Sequence, residues 1–202
     1  MSQINKKYLD ILKQIDEEHK GFGDLHRNSK TLVIDGLNTF IRSWSTAPNL
    51  NDNGDHIGGI VGTLKSIGYA IRTLNPTRVV VVFDGKGGSQ KRKEVFSNYK
   101  ADRKVKFRVN RQYADMMSEE DEQVSLRRQL SSLANILGVL PVTTMIYDNI
   151  EADDVIGYLA KQVIKEDEGA LILSSDKDFL QLADDRVKIW SPTKKKLYGC
   201  AE

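Results

Sequence analysis

Cysteine is nearly missing from this chain of 202 residues: Cys200, close to the end, is the only one. A disulfide framework and a cysteine-based zinc site are thereby excluded within the sequence, and a reducing, cytoplasmic setting is the expectation. Histidine is scarce too. His19, His26 and His56 have no ligand-like spacing to any pair of acids, and all three read as surface residues. No apolar run approaches the roughly 18 residues of a membrane span, and the opening MSQINKKYLDILKQIDEEHK is polar, without a signal-peptide core. No membrane partner is expected. Several chemistries lack their motifs as well: there is no GxSxG elbow, no HExxH and no GxGxxG. DGKGGSQK has the glycines of a phosphate loop without the GxxxxGKS/T order. In DGLNT, Leu37 stands where a dehalogenase-like phosphatase wants a second aspartate.

Neither sign of charge dominates overall, with 30 Lys and Arg against 28 Asp and Glu. The balance hides a local asymmetry. Between Lys86 and Arg111 stand ten basic residues against Glu94 and Asp102, ten minus two giving a local charge of +8. Such a basic region beside separate acidic foci points to a polyanion and a metal.

The apolar pattern organises the rest. Residues 3–18 place Ile4, Tyr8, Ile11, Leu12 and Ile15 at helical spacing, an amphipathic appendage within 1–30. TLVIDG, RVVVVFDG, GVLPVTTM and ALILSSD read as strands. Helical patterns at 58–74 and 120–137, and one beginning within NIEADDVIGYLA, lie between them, with Gly138 ending the second. The last of these helices is expected to bury Val155, Ile156, Leu159, Ala160, Val163 and Ile164. KDFLQL reads as a short helix, and VKIWSPTKKKLYG as a strand and turn at the sheet edge. Strands alternating with helices make an α/β fold, a mostly parallel central sheet with helices on both faces. Residues 86–118 resist assignment: about thirty residues of charge with Phe96, Tyr99, Phe107 and Tyr113.

Three strand-like runs end in an acid, Asp35, Asp84 and Asp176, and Glu151, Asp153 and Asp154 follow the remaining one. In a parallel sheet all these ends share one edge, where open α/β folds bind ligands. With Asp178, seven carboxylates are expected to face one crevice. Any single one is explained by helix capping, which contributes about 0.3–1 kcal/mol through the dipole. The group is not, because two carboxylates about 6 Å apart repel by roughly 3 kcal/mol at an effective dielectric near 20. Cations or protons must relieve that repulsion. An all-oxygen set suits Mg²⁺ or Mn²⁺, and two such ions form a clamp for phosphoryl chemistry. Lys86, Arg92, Lys100, Arg103, Lys104, Lys106 and Arg108 suit backbone phosphates, and Tyr99 and its neighbouring aromatics suit unpaired bases. Together the two features indicate a nuclease.

LVIDGLNTFIRS, VVVFDGK, YKADR, EADDVIGYLA, SSDKDFLQL and IWSPTKKK, spanning about residues 31–198, resemble the 5′ nuclease family, the flap endonucleases and 5′ to 3′ exonucleases with a PIN-like domain, closest to its T-even-like phage ribonuclease H branch. The resemblance implies hydrolysis of phosphodiesters in DNA or RNA:DNA, in primer removal and flap processing, with two Mg²⁺ ions. It implies that Asp35, Asp84, Glu151, Asp153 and Asp176 build the tighter metal site, and that Asp154 and Asp178 contribute to a second. It implies a basic arch over 86–118, with Arg92 and Lys100 acting with Asp84 at the scissile phosphate and Tyr99 stacking on the terminal base. Partners would be 5′ ends or flaps and replication proteins such as a single-strand-binding protein, in a host cytoplasm were the chain phage-encoded. Family members continue into a helix-hairpin-helix-like element, and that region is expected to be absent after the catalytic domain, 31–202. The rival expectation is therefore a truncated, weakly active or inactive module that recognises flaps or single strands.

Overall fold

The computed structural model describes residues 29–88, 108–110, 112–113, 117–164 and 168–199. The appendage expected at 3–18 and most of the basic stretch lie outside them. The chain runs through β1 (Lys30–Asp35), α1 (Gly36–Thr46), α2 (Gly58–Leu74), β2 (Arg78–Asp84), α3 (Glu119–Val139), β3 (Thr143–Tyr147), α4 (Ala152–Tyr158), β4 (Gly169–Leu173), β5 (Val187–Ser191) and β6 (Lys196–Tyr198). A π-helical turn, Leu159–Val163, continues α4, and a 3₁₀ turn, Lys177–Leu182, follows β4.

The sheet has the order β3-β2-β1-β4-β5-β6. Every pairing is parallel except the last, where β6 returns antiparallel on β5. Valine, isoleucine and leucine fill the central strands because both faces are covered. The two-residue alternation divides them between two cores. Leu32, Ile34, Val81, Phe83, Leu171, Leu173 and Trp190 meet Phe40 and Trp44 of α1, Ile67 and Ala70 of α2, and Leu133 and Leu137 of α3. Val33, Val80, Val82, Ala170, Ile172 and Ile189 meet Ile156 of α4, Leu159 and Ala160 of the π turn, and Phe179. Helices thus cover both faces, as the sequence pattern predicts.

Several details differ from the sequence expectations. Helix α1 follows β1 at once, unforeseen in the sequence; Phe40 and Trp44 are its buried apolar side chains, with Leu37 and Ile41 packed partly against the same core, and it stops at Ala47, before Pro48. Gly138 lies inside α3, which runs one residue further, and β3 starts at Thr143, past Pro141. Val163, expected inside, is exposed while Ile164 is buried, because the wider π turn rotates the side chains off a 3.6-residue register. His56 is buried, not at the surface: its Nε2 lies 2.9 Å from the carbonyl of Ala47, and its ring packs between Trp44 and Tyr113.

Candidate active site

Parallel pairing of β1 to β5 delivers their C-terminal ends to one edge, and the acids arrive there with them. Asp35 closes β1 and caps α1: its Oδ1 accepts the N–H of Asn38 at 3.1 Å and its Oδ2 accepts the hydroxyl of Ser174 at 3.1 Å. Asp84 closes β2, and its Oδ1 accepts the N–H of Ala152, the first residue of α4, at 2.8 Å. The glycine after each acid is required by close approach. A Cβ on Gly36 would strike the ring of Phe83 at 2.7 Å, and one on Gly85 would strike the carbonyl of Tyr147 at 2.3 Å. The exits of β2 and β3 are tied to each other, since Lys86 N–H donates to Asp148 and Asn149 N–H donates to the Lys86 carbonyl, both at 2.8 Å. That tie delivers Glu151 and the start of α4 to the edge.

The result is a crevice of about 340 Å³ whose walls include Asp35, Asp84, Asp153, Asn38, Arg42 and Ser175. Asp35 is buried there, and its carboxyl is pushed up to about 6. Desolvation is the largest cause, and the charges of Asp153 and then Asp84 add to it, against the hydrogen bonds from Asn38 and Ser174. Glu151 is also buried and is the N-cap residue of α4, yet its side chain accepts no capping bond, so capping does not account for its carboxylate. Asp154 is exposed on the same first turn. Asp176 caps the 3₁₀ turn, accepting the N–H of Asp178 at 3.0 Å, and its own N–H donates to Ser174 at 3.1 Å. Asp178 is exposed one residue beyond Lys177. Asp35, Asp84 and Asp153 therefore share one crevice, Asp176 borders it through Ser174 and Ser175, and Asp154 and Asp178 line no part of it. Among the described residues no three acids, histidines or cysteines close around a single point.

The oxygens nevertheless suit a hard cation. A buried carboxylate held up by two neighbouring carboxylates is a site where positive charge relieves repulsion. Two roomier hollows among the described residues, about 490 Å³ between the loop around Asp55 and α3 and about 560 Å³ around Lys30 and Arg186, hold none of the strand-end acids, so size and chemistry do not coincide.

Of the residues predicted to meet nucleic acid, Lys86 is exposed beside the crevice. Arg108 is engaged elsewhere, its Nε 3.3 Å from the buried carboxylate of Glu122, which also accepts the N–H of Val109 at 3.3 Å. Arg92, Tyr99, Lys100, Arg103, Lys104 and Lys106 lie outside the described residues. Sequence reasoning missed Asn38, Arg42 and Ser175 in the crevice and the buried Ser174 that holds Asp35. Ser175 Oγ donates to Asn38 Oδ1 at 2.6 Å, pinning the exit of β4 to α1. Arg42 is half-buried, its Nη2 donates to Ser66 at 2.9 Å, its buried Nε has no partner among the described residues, and burial lowers its pKa. Its signal is the seven-residue spacing from Asp35, two turns along α1, which becomes visible once α1 itself is recognised.

Residues 30–202 match the sequence model of the 5′-3′ exonuclease N-terminal, resolvase-like domain. The chain belongs to the 5′ nuclease family. Among relatives of this 5′ nuclease domain, the 5′-3′ exonuclease of Buchnera aphidicola from Acyrthosiphon pisum is 33% identical over 168 residues, covering 81% of this chain and 52% of that one. Flap endonuclease Xni of Shewanella sp. MR-4 is 33% identical over 174 residues, 86% of this chain and 59% of that one. DNA polymerase I of Treponema pallidum is 32% identical over 167 residues, 15% of its length. The chain thus spans little more than half of the exonuclease and flap endonuclease relatives. Among solved structures, the bacteriophage T5 flap endonuclease in complex with DNA and metal ions superposes with a TM-score of 0.63 at 21% identity, over 84% of this chain and 57% of that one. At that identity the likeness establishes the fold.

Proposed function

We propose that this 5′ nuclease domain hydrolyses phosphodiesters of DNA or RNA:DNA at 5′ ends or flaps, using two Mg²⁺ ions for which Mn²⁺ can substitute. The observation that carries the reading is the convergence of Asp35, Asp84 and Asp153 on one crevice, with Asp35 desolvated against the other two. Two divalent cations, when bound, supply a water of lowered pKa and positive charge against the phosphate oxygens. Asp35, Asp84, Glu151, Asp153 and Asp176 would hold the tighter ion, and Asp154 and Asp178 would contribute to the second. The chain's own groups do the rest. Hydrogen bonds from Asn38, Ser174 and Ala152 fix the acids before substrate arrives, and so limit reorganisation at the moment of reaction. Arg42 lines the same crevice, and its guanidinium is a cation suited to a phosphate oxygen.

Arg92 and Lys100 at the phosphate and Tyr99 on the terminal base complete the reading, on the strength of the family resemblance. Primer removal and flap processing beside a single-strand-binding protein, in a cytoplasm, are the setting it implies. A pure binding module has no use for desolvated carboxylates beside phosphates, which speaks against the rival reading. The test is cleavage of end-labelled 5′-flap, nicked and RNA:DNA substrates with Mg²⁺, Mn²⁺ or EDTA. Cleavage in either metal is expected, with none in EDTA, and Asp84→Asn and Asp176→Asn should each lower the rate on the order of a hundredfold or more. Binding without cleavage in every metal would overturn the reading.

A further inference from the structure

The acid crevice does not stop at Ser175. Beyond it a second groove of about 250 Å³ follows the same edge, with Ser175, Asp176 and Lys177 on one wall, Thr193 and Lys194 on the other, and Tyr198 between them. The sheet accounts for the position. Strand β4 pairs in parallel with β5, Leu173 beside Trp190, so both release their chains at one edge: Ser174 to Asp176 from β4, and the turn to β6 from β5.

That turn carries three successive lysines, and the backbone sends them to different places. Lys195 adopts a left-handed φ of 51° and sets its Nζ 5.4 Å from the ring centre of Tyr69. Lys196 lies over Tyr198, 5.3 Å from its centre. Lys194, whose N–H donates to Ser191 Oγ at 3.4 Å, is the one that lines the groove. Among the described residues, neither Lys194 nor Lys177 makes an ion pair. Both residues line the groove, so an anion seated there would meet two ammonium groups that no ion pair neutralises among the described residues. With the hydroxyl of Thr193 beside them, they present donors suited to the oxygens of a phosphodiester.

We propose that this groove is a backbone subsite for the scissile strand, in which Lys194 and Lys177 neutralise the phosphate next to the one held at the acids. The inference rests on the nuclease reading of the crevice and extends it by one nucleotide. Because Lys194 touches the neighbouring phosphate and not the reacting one, it positions the strand and takes no part in bond cleavage.

Fluorescence anisotropy of a labelled oligothymidylate in EDTA, over a series of salt concentrations, reads the groove without any metal. Lys194→Ala is expected to weaken binding about fivefold and to lower the slope of log affinity against log salt by about 0.7, the share of one phosphate on a single strand. Lys194→Arg should restore both. Lys188→Ala, near the start of β5 and so towards the opposite edge of the sheet, should leave the slope unchanged. In cleavage assays Lys194→Ala should raise KM about fivefold with kcat within twofold of wild type. An unchanged slope, or a loss confined to kcat, overturns the proposal. A changed slope in a protein that cleaves nothing would sink the nuclease reading and leave the groove standing as a phosphate site, so the two failures are distinguishable.

Discussion

Replacing Asp35 by asparagine should make the metal-free protein more stable while destroying its chemistry. In the folded chain the Asp35 carboxyl sits at about 6 against an ordinary 3.8, a difference worth about 3 kcal/mol at 1.36 kcal/mol per pH unit. The folded state holds this proton more tightly than the unfolded state does. Its stability contribution is therefore complete below about pH 3.8 and is lost as the pH rises through about 6. Asparagine keeps the shape, can still accept the N–H of Asn38, and turns its amide toward Ser174 Oγ, which can accept. Water entering the open crevice reduces the effect, so Asp35→Asn should gain about 1–2 kcal/mol at pH 8, or roughly 2–8 °C in Tm for a domain of this size. The assay is thermal unfolding by circular dichroism in EDTA from pH 4 to 8. Wild type and variant should coincide near pH 4, diverge up to about pH 6.5, and stay separated by a constant interval above it. Added Mg²⁺ should then raise the Tm of the wild type and leave the variant almost unmoved. A variant less stable than wild type at pH 8, or a gap independent of pH, would refute the claim that Asp35 is ionised against its surroundings.

Two further outcomes follow from groups outside the acid set. Arg42→Ala should lower kcat on flap substrates on the order of tenfold to a hundredfold, with Arg42→Lys recovering little because the fork geometry that reaches both Ser66 and the crevice is lost; equal rates for Ala and wild type would leave Arg42 a structural tie to α2. Gln129→Ala should destabilise the fold by about 2–3 kcal/mol in urea denaturation: Gln129 Oε1 accepts from Gly59 N–H at 3.0 Å, and its Nε2 donates to the His56 carbonyl, so it caps α2, which has no side-chain cap of its own. A loss under 0.5 kcal/mol would mean that water serves this helix end equally well.

Much of the architecture was legible because it depends on short-range pattern. Four consecutive valines, Val79–Val82, followed by Phe83 and bounded by Arg78 and Asp84, read as a strand covered on both faces. Strands alternating with helical runs then force parallel pairing and a common edge for Asp35, Asp84 and Asp176. Most of the family motifs were legible for the same reason: LVIDGLNTFIRS, VVVFDGK, SSDKDFLQL and IWSPTKKK are each a strand end with the few residues that follow it. What escaped was whatever depends on partners distant along the chain. His56 looked like a surface residue because nothing near it in sequence predicts Trp44 and Tyr113 around its ring. Arg108 counted toward the basic stretch because Glu122, which binds it, lies in what reads as an ordinary acidic first turn of α3.

For the candidate site, the sequence by itself determined which carboxylates exist and which edge receives them, since strand polarity and register follow from local pattern. Only the tertiary structure decided their inequality. Asp35 is desolvated beneath Ser174 and Asn38, Asp84 is spent partly on capping α4, Asp153 turns into the crevice, and Asp154 and Asp178 face out. The physical reason is that a carboxylate's chemistry depends on the water removed from it and the dipoles and charges set around it. Those are supplied by residues as far as 139 positions away, as with Ser174 and Asp35, and become neighbours only when the sheet forms.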